Sequence, residues 1–263
     1  MAPRFSRPRL IDENDRQYRA HLAQIMLGKD NQRPMRAPFA RELFGGEAEV
    51  ALRQFLAERY MLSPRRLIEY LEHRGRSAIK KYRELDAVII DGPSVQIFEI
   101  KASRKAISLR RAAQQLRDSA ELLRMLFHNV HATILLVDTG IPQTAEEVAD
   151  IMAAEDAPYQ PPLLLDEVLA VLPHVRLVTT LDQRPTDAGV ISLLRFSVEE
   201  IVAIAGAENL HLDWDEDDLP DDAETDEPSE DVAPAEQDTT DADHDDGGAF
   251  AEALRKAMEQ GKR

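Results

Sequence analysis

The sequence predicts an α/β protein with a mixed central sheet flanked by helices, an α/β sandwich and not a regular doubly wound sheet, followed by a disordered acidic C-terminal tail. Three observations predict it. Apolar runs rich in Val, Ile and Leu alternate with helical-period segments through residue 212. Two of these runs, AVII and VQIFEI, flank Asp91-Gly92-Pro93-Ser94 as an antiparallel hairpin. The charge changes sharply at Asp213.

The elements follow in order. A basic, irregular arm is expected to about Pro38, and a helix from Gly46 to Tyr60. A second helix is expected over Pro64 to Arg74, with Ser63 as N-cap and Pro64 in the first turn. Ile79 to Ile90 forms one strand or two pieces, and Val95 to Ala102 returns antiparallel. Ser108 to Phe127 is a long helix, HATILLVD (131–138) a buried strand and Thr144 to Ala154 a helix. Strands over Val175 to Leu181 and Gly189 to Phe196 precede a helix from Val198 to Ala205. The domain plan is a basic N-terminal arm (1–40), a folded domain (41–212), an acidic disordered linker (213–247) and a short C-terminal helix (248–263), whose amphipathic stretch is Ala249 to Met258.

Composition narrows the chemistry. The 263 residues, 43% hydrophobic, are enough for a substantial core. Zero cysteines exclude disulfides, thiol nucleophiles and thiolate metal sites, and fit a reducing cytoplasm. No apolar run is long enough to span a membrane, and the N-terminus lacks the apolar stretch of a signal peptide, so a soluble cytoplasmic protein is expected. The net charge of −17 belongs to one segment: Asp213 to Gly247 holds 18 acids and no Lys or Arg, and taking these from the chain's 49 leaves 31 acids beside 32 bases. Bases cluster in Met1 to Arg41, nine against four acids, and in KASRKAISLRRAAQQLR (101–117), six against none. Both clusters suit phosphates, as they also suit a solvated surface.

The hairpin raises a sharper question. Asp86, Glu99 and Lys101 stand in runs that otherwise look bound for a core, where an unpaired charge is costly. Alternation puts Asp86, Val88 and Ile90 on one face of the first strand, and Ile97, Glu99 and Lys101 on one face of the second. Antiparallel pairing through the turn brings the charged ends together. Two carboxylates there repel unless a hard cation lies between them, and Mg²⁺ suits such a site. An ammonium beside them can orient or help deprotonate a water. On the preceding helix, Glu49 lies about 60° from Leu52 and borders the apolar stripe, while Glu47 points away. On the following helix, Gln115 flanks the stripe and Gln114 lies outside it.

Asp86, twelve intervening residues and then Glu99-Ile100-Lys101 resembles the core motif of the PD-(D/E)XK nuclease superfamily, and the element order from Gly45 to Asp138 resembles its αβββαβ core. The resemblance implies a restriction-endonuclease-like fold and metal-dependent phosphodiester hydrolysis, in DNA more than in RNA. It implies Asp86, Glu99 and Lys101 as catalytic residues with Glu49 and Gln115. It also implies Mg²⁺, or Mn²⁺, on Asp86, Glu99, the Ile100 carbonyl and Glu49. Arg104, Lys105, Arg110 and Arg111 are the expected nucleic-acid contacts. A protein partner for the tail and C-terminal helix, and a homodimer, are further assemblies left open.

Other readings stand beside it. Asp86 at a strand end and a Glu99–Lys101 pair on an edge would also explain the charges, and Glu84 would add a further acid or none. The chain could be a non-catalytic member of the same fold, or an interaction protein acting through its tail as a mimic of nucleic-acid charge. His128 and His131 lack a third ligand, Gly45-Gly46 is followed by no Lys-Ser/Thr, and no Gly-x-Ser-x-Gly occurs. Trp214 is expected to pin the tail to the body.

Overall fold

The computed structural model describes residues 4–29, 40–74, 77–154, 158, 160–183, 187 and 189–213. All belong to one compact unit, Met1–Leu219. The acidic linker, apart from Asp213, the expected C-terminal helix, Trp214 and residues 30–39 of the arm lie outside the described residues.

Among the described residues, fourteen α-helices and β-strands follow in chain order, with a short 3-10 helix, Ala207–Asn209, after the last. They are β1 (Phe5–Asp12), α1 (Arg16–Lys29), α2 (Ala40–Ala57), β2 (Arg65–Arg74), β3 (Ser77–Glu84), β4 (Ala87–Asp91) and β5 (Ser94–Ser103). Then come α3 (Ser108–Leu123), β6 (Asn129–Asp138), α4 (Ala145–Ala153), α5 (Leu165–Ala170), β7 (Val175–Val178), β8 (Ile191–Ser197) and α6 (Val198–Ala205).

Two sheets share these strands. The first is antiparallel, in the order β1-β2-β3. The second runs β4-β5-β6-β8-β7, with β4 antiparallel to β5 and the other neighbours parallel. The fold is thus α/β with a mixed sheet flanked by helices, as the alternation of apolar runs and amphipathic segments requires. One core joins α3 to the face of β5 and β6 that carries Val95, Ile97, Ile134 and Leu136, and reaches Phe5, Ile68 and Tyr70 of the first sheet. The other packs Phe44, Ala48, Leu52 and Leu56 of α2, with Ile201 of α6, against Phe98, Ile100, Leu135 and Val137 on the opposite face. β6 is covered on both sides, hence its unbroken run of buried residues.

Three expectations are corrected. The arm is not irregular: β1 pairs with β2, and Phe5 is 2% exposed. Pro8 disguised this strand, which accommodates the proline on a sheet edge through a register shift between Ser6 and Arg9, with Arg7 at φ 51°. Pro64 to Arg74 is not a helix but the central strand β2. Ser63 does not cap it; its hydroxyl accepts the Arg65 N–H two residues on, a local turn that feeds an extended chain. Burial on both faces removed the alternation that would have marked β2 as a strand. Third, α2 begins at Ala40, six residues before the expected Gly46, because buried Phe44 anchors its first turns and outweighs the helical cost of Gly45 and Gly46.

Smaller differences lie at ends. α3 stops at Leu123 and not Phe127, β7 ends at Val178, β8 spans 191–197, and neither α1, within the arm expected to be irregular, nor α5 was foreseen. Thr144 and Ser197 cap α4 and α6 through their side chains, accepting from Glu147 N and Glu200 N. No described helix is long and apolar enough to cross a membrane.

Candidate active site at the junction of the two sheets

The chain leaves the first sheet at Glu84 and enters the second at Ala87, so Leu85 and Asp86 form the crossing. Leu85 is held by its N–H on the Arg66 carbonyl at 2.9 Å and by full burial of its side chain. On the other side, Ser63 N donates to the Val88 carbonyl at 2.8 Å and fixes the outer edge of β4. Asp86 is therefore placed by rigid neighbours on both flanks.

Register then decides which way the side chains point. Val88 pairs with Ile97 and both enter the α3-side core, whereas Ala87 pairs with Phe98 and both enter the α2-side core. Asp86, two residues before Val88, and Glu99 and Lys101, two and four beyond Ile97, consequently share the α3 side. One step beyond the last ladder pair, Asp86 stands opposite Glu99. Its Oδ2 accepts the Ile100 N–H at 2.5 Å. Since a strand residue directs its N–H and C=O to the same edge, the Ile100 carbonyl also faces the gap where β4 has not begun.

Electrostatics reports the same convergence. Burial pushes Asp86 up to about 6, opposed by the Ile100 N–H and Lys101 and reinforced by Glu49 and Glu84. Burial and then the charge of Asp86 push Glu99 up to about 7, with Glu49 adding and Lys101 and Arg83 opposing. Glu99 and Lys101 have no hydrogen-bond or ion-pair partner among the described residues. The half-buried Glu99 carboxylate and the Lys101 ammonium thus stand beside Asp86 without a hydrogen-bonding partner among the described residues.

Glu49 acts from α2, on the other side of the sheet, closely enough for its charge to raise both carboxylates. It does not complete a cluster: among the described residues, no three His, Asp or Glu side chains form a group that could hold a metal ion. His128 and His131 belong to no such group either. Gln115 is half-buried on α3, and its Oε1 is buried without a partner, while exposed Gln114 is bound to Asp118 at 2.8 Å. Arg104 is half-buried in the turn after β5, and Lys105, Arg110 and Arg111 are exposed along that turn and the first turn of α3. The arm's bases differ: Arg4 lies against Glu72 and Asp118, and Arg9 against Glu69, so these two charges are matched by acids within the fold.

Two residues escaped sequence reasoning. Arg66 of β2 is ion-paired with Glu13 and Glu84. Burial pulls its guanidinium down, but the hydrogen bond to Glu13 and the charges of Glu84, Glu13 and Glu49 outweigh burial and raise it, so it partly neutralises Glu84 beside Asp86. Arg83 of β3 donates to the Gln115 carbonyl at 3.0 Å and pairs with Asp118 at 3.5 Å, tying the first sheet to α3 beside Glu99. Arg66 sat in a segment expected to be helical, and neither residue has a sequence neighbour in the motif. No protein-family model and no curated protein matches the chain.

Proposed function

We propose that the protein is a metal-dependent nuclease of the PD-(D/E)XK kind, hydrolysing phosphodiester bonds in DNA. The observation that carries this reading is the position of Asp86, held on the Ile100 N–H, opposite Glu99 and on the same face as Lys101. The sequence α2, β2 to β5, α3, β6 is compatible with a restriction-endonuclease-like core.

The donor set fits a hard cation. Asp86, Glu99 and the Ile100 carbonyl offer oxygens on one edge, and Mg²⁺ takes one or two carboxylates while keeping several waters, so a third carboxylate is not required. When bound there, Mg²⁺ or Mn²⁺ supplies a Lewis acid that makes a water more acidic and offsets charge on the phosphate. Lys101, as an ammonium, orients the attacking water and stabilises the hydroxide as its proton leaves to solvent. Gln115, with its unpartnered Oε1, is suited to hold that water from the α3 side. Glu49 acts at longer range, through its charge. Arg104, Lys105, Arg110 and Arg111 hold the phosphates on either side of the scissile one.

Plasmid and single-stranded DNA, with RNA alongside, are incubated with the protein in Mg²⁺, Mn²⁺ or EDTA. Cleavage in either metal and none in EDTA is expected. DNA binding with no cleavage under any of these conditions would replace the enzyme by a non-catalytic member of the fold.

A further inference from the structure

A second site lies at the other end of the parallel strands. An open cavity of about 610 Å³ is set between the C-terminal half of α3 and the amino ends of β6 and β8. Val130, on its wall, is level with Val95 of β5, and the four residues from Val95 to Glu99 put the cavity roughly 13 Å along the strand from the carboxylate pair at ~3.3 Å per residue.

Its floor is apolar, built from Val130, Ala132 and Ile191. Arg117 and Arg124 stand on its wall, two helical turns apart and hence on one side of the α3 axis. Both are exposed, and neither has an ion-pair partner among the described residues. The other charges are accounted for. Arg4 is matched by Glu72 and Asp118, Asp118 also takes Arg83 and Gln114, and Glu121 is the one remaining acid on the described wall. The Arg124 guanidinium lies over Gly189, where a Cβ would stand 3.7 Å from Nη2.

His174 completes the wall. Its backbone carbonyl accepts the Ile191 N–H at 2.8 Å, which fixes the residue beside β8, and its Nε2 is buried with no hydrogen-bond partner in the described structure. Burial and then the charge of Arg117 hold the ring below the ordinary imidazole range. A buried, unsatisfied ring nitrogen marks a missing partner. Two unpaired guanidinium groups bind phosphate well, and the volume is that of a small-molecule site.

We infer that this cavity binds a nucleoside monophosphate, with its phosphate on Arg117 and Arg124 and its base on the apolar floor against His174, the nucleotide being either free or the phosphorylated end of a nucleic-acid strand. The site is separate from the carboxylate pair and does not depend on the nuclease reading.

Calorimetric titration of the full chain in EDTA, where no metal-dependent cleavage intervenes, tests it. The probes are a nucleoside 5′-monophosphate, inorganic phosphate, and matched short oligonucleotides with and without a 5′-phosphate. The nucleotide should bind more tightly than phosphate. The double variant Arg117→Gln/Arg124→Gln should weaken it by about tenfold or more, as loss of charge-assisted hydrogen bonds implies. Asp86→Asn should bind as the unaltered protein does. A preference for the 5′-phosphorylated oligonucleotide over its hydroxyl counterpart assigns the strand end, and no difference between them assigns the free nucleotide. Absence of saturable nucleotide binding, or equal affinity in a folded double variant, overturns the inference.

Discussion

Asp86 Oδ2 and the Ile100 N–H meet at 2.5 Å across a gap in the sheet, at the level where β5 continues and β4 has not started. One carboxylate oxygen is thus committed to the backbone, which fixes the direction of the other. The geometry of the pair with Glu99 depends on that anchor.

Lys101→Ala should therefore lower metal-dependent cleavage by about 10²–10³-fold, the usual cost of losing one positioned donor that stabilises developing charge. Glu99→Gln should abolish cleavage while raising the melting temperature at pH 8 without metal, because it removes a buried charge that repels Asp86. Rates and melting curves on the same preparations check both statements, and wild-type cleavage by either variant would refute the assigned roles.

The pH dependence has a definite sign. Asp86 and Glu99 rise to about 6 and about 7 in the folded chain, above ordinary carboxylate values near 4. Between these limits the folded state binds more protons than the unfolded one, so stability in EDTA should fall as pH rises from about 4 through about 7, then level. Asp86→Asn/Glu99→Gln should lack this fall. Mg²⁺ should raise the melting temperature of the unaltered protein more at pH 8 than at pH 5, where protons compete for the same oxygens; equal gains would place the cation elsewhere.

The bases after β5 should differ in their effect from those of β1. Replacing Arg104, Arg110 or Arg111 by Gln should make the log–log salt dependence of DNA affinity shallower by about 0.9 for each phosphate no longer neutralised. Arg9→Gln should leave that slope unchanged, since Arg9 is matched by Glu69 at 3.1 Å. Deleting the arm is no substitute for these point changes, because Phe5 belongs to the core.

The tail supplies a fourth test. Eighteen acids between Asp213 and Gly247 are tethered, at high effective concentration, to a body (1–212) whose 29 acids and 28 bases nearly balance and whose bases cluster in 101–117. Removing residues 214–263 should tighten binding to random duplex DNA at low salt, and added salt should shrink the difference. Equal affinities would leave the tail to a protein partner.

The legible part of this molecule was what alternation and spacing encode directly. β4 and β5, and the sharing of one face by Asp86, Glu99 and Lys101, follow from strand alternation around a turn of fixed length, and β6 from its unbroken apolar run. Glu49 and Gln115 were legible as borders of helical stripes, but not their distances from the pair, which depend on how α2 and α3 pack. β2 was illegible because burial on both faces erased its alternation and Ser63-Pro64 imitated a helix start. β1 was hidden by Pro8. The cavity beside His174 could not be read at all, since it joins residues from α3, β6 and β8 that only packing brings together.

The gap above β4 also bears on solubility. Beyond Phe98 the edge of β5 has no ladder partner from β4, and an unpaired strand edge is a template on which a second chain can add. The Asp86 carboxylate occupies the Ile100 N–H there and sets a negative charge over the opening. Asn at this position keeps an acceptor for that N–H, and Ala does not. Asp86→Ala should consequently self-associate with rising concentration in sedimentation runs where Asp86→Asn stays dispersed, so that a single side chain guards the sheet against its own copies.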